Sequence, residues 1–167
     1  RWGTKDAAKA LYEQAIRLSF EDKGAKDADA YIADKTRKPA AYNDPLGNYS
    51  ATALSSITIA WEDDSAEGAD KAAIKERNLE RIITQKWIAM FPNGTEAWSE
   101  FRRTGYPLIF PVRSNYPTSG VDTNKQIRRM VFPQSEYSNN GAAVQEAVKL
   151  LGGPDNGGTK LWWDKKN

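Results

Sequence analysis

Apolar residues recur at three- and four-residue steps through Leu79, Ile82, Ile83, Trp87 and Met90 or Phe91, while Arg77, Glu80, Arg81 and Thr84 fall opposite them. That spacing predicts an amphipathic helix from about Ala69 through Met90 with one face buried. Pro92 cannot continue it, and Asn93-Gly94 suits a turn. Asn93 or Thr95 can cap a second helix through Trp98 and Phe101, with Glu96 near its positive end. Residues 82–107 therefore read as a tight helix-turn-helix corner. Upstream, Thr4 or Asp6 can start a helix with Ala7, Leu11, Ala15 and Leu18 on one stripe and Ala8, Tyr12, Ile16 and Phe20 beside it, until Gly24 stops it. So wide a stripe predicts burial on more than one side.

The remaining chain is less periodic. A short helix is expected from Asp27 to Asp34, followed by a turn-rich surface stretch, KPAAYNDPLGNYSATAL. Ile57, Ile59 and Trp61 alternate, as in a short strand or extended segment. Leu108 to Val112 is held extended by its prolines, and Ile127 to Phe132 could pair with it across the polar loop from Arg113 to Gln126. A last helix is expected from about Asn140 to Leu151, with Gly152-Gly153 as its stop and Pro154 beyond. The fold class is thus mainly α with a small two-stranded β element, and 167 residues bound the chain to one core.

Composition narrows the chemistry. The absence of cysteine removes disulfides and thiolate chemistry, and the absence of histidine removes the commonest metal ligand and general base. Serine–histidine–aspartate, cysteine–histidine and zinc-hydrolase sites cannot be built within this chain. A net charge of +2 with isolated Arg102-Arg103 and Arg128-Arg129 pairs makes no basic stripe, so no nucleic-acid partner is expected. No apolar run reaches the ~20 residues needed to span a bilayer, and RWGTKDAAKALYEQ has neither a signal-peptide core nor an acylatable cysteine.

Carboxylates remain for acid–base work, so a glycoside hydrolase is the enzyme alternative, with Glu62, Asp63 and Asp64 as the obvious cluster. A solvated turn before a helix is the favoured reading of that cluster, because acids there complement the helix N-terminus. Glu96 and Glu100 are expected to pair with Lys86, Arg102 or Arg103. Gly152 to Lys160 superficially suggests a phosphate loop, but Thr159-Lys160 stands in reversed order and a helix precedes the glycines instead of following them. Asp122-Thr123-Asn124 has a hint of calcium-ligand spacing without the glycine and glutamate of an EF-hand, so neither metal nor cofactor is expected.

The segment QKWIAMFPNGTEAWSEFRRTGYP closely resembles the signature of the SusD/RagB-like outer-membrane nutrient-binding lipoproteins. RRMVFPQSEYSNNGAAVQEAVKLLGG at 128–153 and TKLWWD at 159–164 resemble the C-terminal part of the same proteins, in the same order. ALYEQAIRLSFE and ADAYIAD fit the preceding region more loosely. The resemblance implies a helical SusD-like fold of which residues 1–167 form a single C-terminal portion, the tetratricopeptide-like helices and lipid anchor lying in a missing N-terminal half. Apolar helix faces built to meet that half are then expected on the surface. The resemblance further implies non-enzymatic capture of a glycan or other nutrient at the outward-facing surface of the outer membrane and handover to a SusC-like TonB-dependent transporter. A purely structural or docking segment is the remaining alternative. Sugar rings stack on flat aromatic faces while amides and carboxylates bond the hydroxyls. Trp87, Trp98, Phe91 and Phe101 sit at helical spacing and read as core, and of Trp162-Trp163 one is expected to be buried and one partly exposed. Tyr42, Tyr49 and Tyr116 lie in polar loops outside the family signature and are the ligand-binding candidates.

Overall fold

The computed structural model describes residues 5–112, 120–121, 123 and 126–164. The element order is α1 (Lys5–Asp22), α2 (Ala28–Ile32), β1 (Tyr42–Asn43), β2 (Ser50–Ala51), α3 (Lys71–Ala89), α4 (Gly94–Thr104) and α5 (Gln134–Leu151). The described residues form two compact units, one running to Phe101 with Tyr106–Leu108 added, the other made of Arg102–Gly105 and residues from Ile109 onward.

In the first unit the core forms where α1 and α2 meet: Tyr12, Ile16 and Ile32 are buried, with Phe20, Tyr31, Trp61 and Ile82 packed on them. Tilted ring pairs, Tyr12–Trp61 at 5.5 Å and Phe20–Tyr31 at 5.1 Å between centroids, fill its centre with the geometry aromatic quadrupoles favour. The stripe of α1 divides. Tyr12 and Ile16 go inward, whereas Leu11 and Leu18 remain 62% and 56% exposed, so burial on more than one side does not hold within this unit. Helix α3 starts where Asp70 accepts the amide of Ala73 at 3.0 Å and ends at Met90. Asn93 then accepts the amide of Glu96 at 3.3 Å, as a cap should, and the peptide between Phe91 and Pro92 is cis. Lys86 bridges Glu96 at 3.2 Å and Glu100 at 3.0 Å, tying the end of α3 to α4.

Two expectations for α3 are corrected. Glu80 and Arg81, assigned to the wet face, are buried, and Phe91, assigned to the core, is 79% exposed. For Glu80 and Arg81 the reason lies in residues 57–62, an irregular segment that bends at Ile59 and Ala60 instead of forming the expected strand, with Ile57 and Ile59 buried and no ladder partner. Its backbone groups are satisfied by helix side chains, which draw the polar face of α3 inward. Arg81 Nε donates to the carbonyl of Thr58 at 3.0 Å, Asn78 both donates to the carbonyl of Glu62 at 2.8 Å and accepts its amide at 3.2 Å, and the Tyr12 hydroxyl donates to the carbonyl of Ile59 at 2.7 Å. Burial pushes the pKa of that phenol up.

In the second unit, the predicted pairing of 108–112 with 127–132 is replaced by loop contacts: the Val112 amide donates to the carbonyl of Thr123 at 3.0 Å, and Gln126 Nε2 to that of Phe110 at 2.7 Å. The two-stranded sheet of the molecule is instead β1 with β2, antiparallel, with Tyr42 opposite Ala51 and Asn43 opposite Ser50. Helix α5 begins at Gln134, six residues before the predicted start, and Asn140 is a kink with non-helical angles (φ −143°, ψ 35°). The apolar periodicity is thus that of the part beyond the kink, where Val144 is buried; Gly152 ends the helix in the left-handed region at φ 71°.

Candidate functional site

Chemistry-bearing groups gather at three places: the hairpin of the first unit, a groove in the same unit, and an arginine cluster in the second.

The hairpin is built by Asp44-Pro45-Leu46-Gly47, in which the Gly47 amide donates to the carbonyl of Asp44 at 2.9 Å and Gly47 adopts φ 72°. The Asp44 carboxylate accepts the amides of Leu46 and Asn48, each at 3.0 Å, and the Asp44 amide donates to the carbonyl of Tyr49 at 2.9 Å. Backbone hydrogen bonds, that from Leu46 foremost, hold the Asp44 carboxyl below its ordinary pKa and so keep the turn charged and closed. Tyr42, exposed, stands on β1, and Tyr49, half-buried, immediately precedes β2, with ring centroids 6.0 Å apart and planes inclined at 41°. Asn43 and Asn48 stand exposed beside them. Two of the three sequence candidates are therefore brought together on one short, braced element. Tyr116 lies outside the described residues, as do Asp122 and Asn124.

The groove, about 410 Å³, lies between α1 and α3. Its walls are largely apolar, including Leu11, Ala15, Ile82 and Ile88. Reading the α1 stripe as core missed this groove, although the two parallel rows of apolar residues were its signal.

In the second unit Arg128 is buried and donates through Nε to Asp164 Oδ2 at 2.7 Å and through Nη2 to Asp164 Oδ1, a two-pronged pair. Arg102 donates to the carbonyl of Arg128 at 3.0 Å and lies 4.9 Å above the ring of Trp163, while Trp162 is 82% exposed. Desolvation, followed by the nearby Arg128 charge, pulls the pKa of Arg102 down against the opposing pull of Asp164. Arg129 binds Asp155, which also accepts the Tyr137 hydroxyl at 2.7 Å and the Phe132 amide at 3.2 Å. The supposed phosphate loop is closed on itself, since Asn156 Oδ1 accepts the amides of both Gly158 and Thr159 at 3.0 Å. Gly158 is required there: a Cβ would lie 2.3 Å from the carbonyl oxygen of Gly120. This cluster positions chain, not ligand.

Of the acid trio, Glu62 is engaged by two arginines. Arg77 and Arg81 hold Glu62, with Arg77 Nε at 2.8 Å and Arg81 Nη1 at 3.2 Å. Those bonds, Arg77 first, pull its pKa down, the opposite of what a general acid needs. Asp63 accepts the Ser65 amide at 2.9 Å in a local turn, and α3 begins only at Lys71, so the trio does not cap that helix.

Among the described residues the fold is mainly helical with one small antiparallel hairpin, the fold class its relatives share. Residues 1–164 match the SusD-like family, described as Susd and RagB outer membrane lipoprotein, and the chain belongs to that family. It is similar to a SusD homologue of Bacteroides uniformis, with 49% identity over 95% of this chain and 32% of that one (TM-score 0.82). A chitin-binding SusD homologue of Flavobacterium johnsoniae is 46% identical over 99% of this chain and 32% of that one (TM-score 0.83). A SusD homologue of Bacteroides thetaiotaomicron is 43% identical over 95% and 33% (TM-score 0.83). The chain thus spans about a third of the length of these relatives. No curated protein matches.

Proposed function

We propose that this chain serves non-enzymatic binding of a glycan at the outward-facing surface of the outer membrane, as one C-terminal portion of a SusD-like domain. The observation that carries the reading is its 46% identity, over 99% of its length, to a protein that binds chitin. Capture takes place by stacking of sugar C–H faces on Tyr42 and Tyr49, with Tyr116 as a third candidate, a reading supported by the proximity of the two rings and by the exposed, polar Asn43 beside them. The glycan is then handed to a SusC-like TonB-dependent transporter. Attachment to the membrane is through an N-terminal lipid, a reading supported by the family's description as outer membrane lipoproteins. Neither step calls for a nucleophile, a metal or a cofactor.

Calorimetric titration of the full-length protein with chitin oligosaccharides, and with a panel of soluble polysaccharides, tests this. Binding without release of reducing ends is expected. The Tyr42→Ala/Tyr49→Ala double variant should weaken binding about tenfold, equivalent to about 1.4 kcal/mol. Full affinity in that variant would take the hairpin out of the site, and no binding across the panel would overturn the glycan reading.

A further inference from the structure

The α1–α3 groove is a feature that the glycan reading does not use. Three of its properties are wrong for a sugar. The walls are mainly aliphatic, with Leu11, Ala15, Ile82, Ile88 and Ala89 among them, and their aromatic rings are taken up in the tilted pairs Tyr12–Trp61 and Phe20–Tyr31. The polar groups on its rim are already engaged: Lys86 by Glu96 and Glu100, Gln85 by the Tyr31 hydroxyl at 3.1 Å, and the Tyr12 hydroxyl by the carbonyl of Ile59. Few donors are left there to pair with hydroxyls, and a sugar buried against such walls would lose hydrogen bonds to water. Its apolar rims also stand open, with Leu11 62% and Ile88 57% exposed.

The same properties suit a helix. The lining residues of α1 run from Ala8 to Phe20, more than three turns or ~18 Å of axis, and the small side chains Ala8, Ala15 and Ala89 allow the close approach of a packed helix pair. Ala8, Leu11, Ala15 and Ser19 repeat at helical steps along the groove, as for a seam that receives ridges from a partner. About two thirds of the length of each relative lies beyond what this chain covers. We infer that the groove is the seat of an apolar-faced helix supplied by that further part of the fold, and is not a ligand pocket. This inference is independent of which nutrient is bound.

The 167 residues hold no cysteine, so an introduced cysteine is the one labelled within this stretch, and labelling is read on the peptide that carries it. The full-length protein carrying Leu11→Cys, Ala15→Cys or Ile88→Cys, each at a residue that lines the groove, is reacted with a maleimide, with Leu46→Cys in the exposed turn as control. At least tenfold slower labelling at the three groove positions than at position 46, unchanged by dilution or by chitin oligosaccharide, is the expected result. Rates within twofold of the control at all three would overturn the inference. Protection that fades on dilution would assign the groove to a second copy, and protection that appears only with the oligosaccharide would make it the glycan site; either also overturns it.

Discussion

Two arginine–carboxylate networks hold the two units, and they differ in how far water reaches them. In the first unit Glu62 is 29% exposed and meets Arg77, itself well exposed, and the buried Arg81. In the second, the Asp164 side chain is fully buried against an Arg128 side chain only 4% exposed. The chemistry is the same while the surroundings are not. Where water can replace a lost partner, removing one charge leaves the other solvated; where it cannot, the survivor is a stranded buried ion. The first network aligns an irregular segment on a helix, and the second closes the chain end.

The largest effect is therefore expected at Asp164. Asp164→Ala leaves Arg128 without its two-pronged partner and should cost about 3–5 kcal/mol, read as a drop in the urea midpoint at unchanged slope. Arg128→Met combined with Asp164→Leu should cost less than Asp164→Ala alone, because no buried charge is left unpaired. If the single and double variants lose equally, the cost is one of packing and the comparison with Glu62 fails.

Asp155 sharpens the comparison through pH. Burial pushes its pKa up, but the bonds from Arg129, Tyr137 and the Phe132 amide outweigh that and bring it below the ordinary value. A carboxyl lowered on folding contributes stability that is fully present above its unfolded pKa, about 4, and is lost as pH falls through the folded value. Tyr137, raised chiefly by its bond to Asp155, acts in the opposite sense: its share is present below the unfolded phenol pKa and lost as pH rises through the folded one. Asp155→Asn should cost about 1–3 kcal/mol at neutral pH and flatten both the acid and the alkaline limbs of a stability–pH curve. An unchanged acid limb would show that other carboxyls govern it.

Much of the helical frame could be read from the sequence because a 3.6-residue apolar period, a proline and a capping residue are local signals: Asp70, Asn93 and Gly152 sit where such signals belong. Ion pairs carry no such signal. Arg128 and Asp164 are 36 residues apart, and a charged residue is by default assigned to water, so the buried face of Glu80 and Arg81 and the buried pair in the second unit stayed hidden. The sheet was expected at two apolar, proline-bounded runs, whereas the turn that makes a hairpin is Asp44-Pro45-Leu46-Gly47, inside a stretch that hydropathy marks as loop. Tyr42 and Tyr49 were accessible as loop aromatics. Their approach across the hairpin needed the register, which only the folded chain supplies.

The smallest effect is expected at Glu62, and it bears on catalysis as well as stability. Glu62→Gln keeps an oxygen for Arg77 or Arg81 but removes the charge. Both arginines have other recourse, since Arg77 is solvated and Arg81 still donates to Asn78 at 3.0 Å and to the Thr58 carbonyl at 3.0 Å. The cost should be about 0.2–1 kcal/mol and shrink further in salt. Because Glu62 is held below its ordinary pKa, what it contributes is lost as pH falls, so the variant should converge with the parent protein at low pH. A loss as large as that of Asp164→Ala would mean that water does not reach this network. Release of reducing ends by the parent protein and not by Glu62→Gln would make Glu62 a catalytic group and the glycan site a hydrolase.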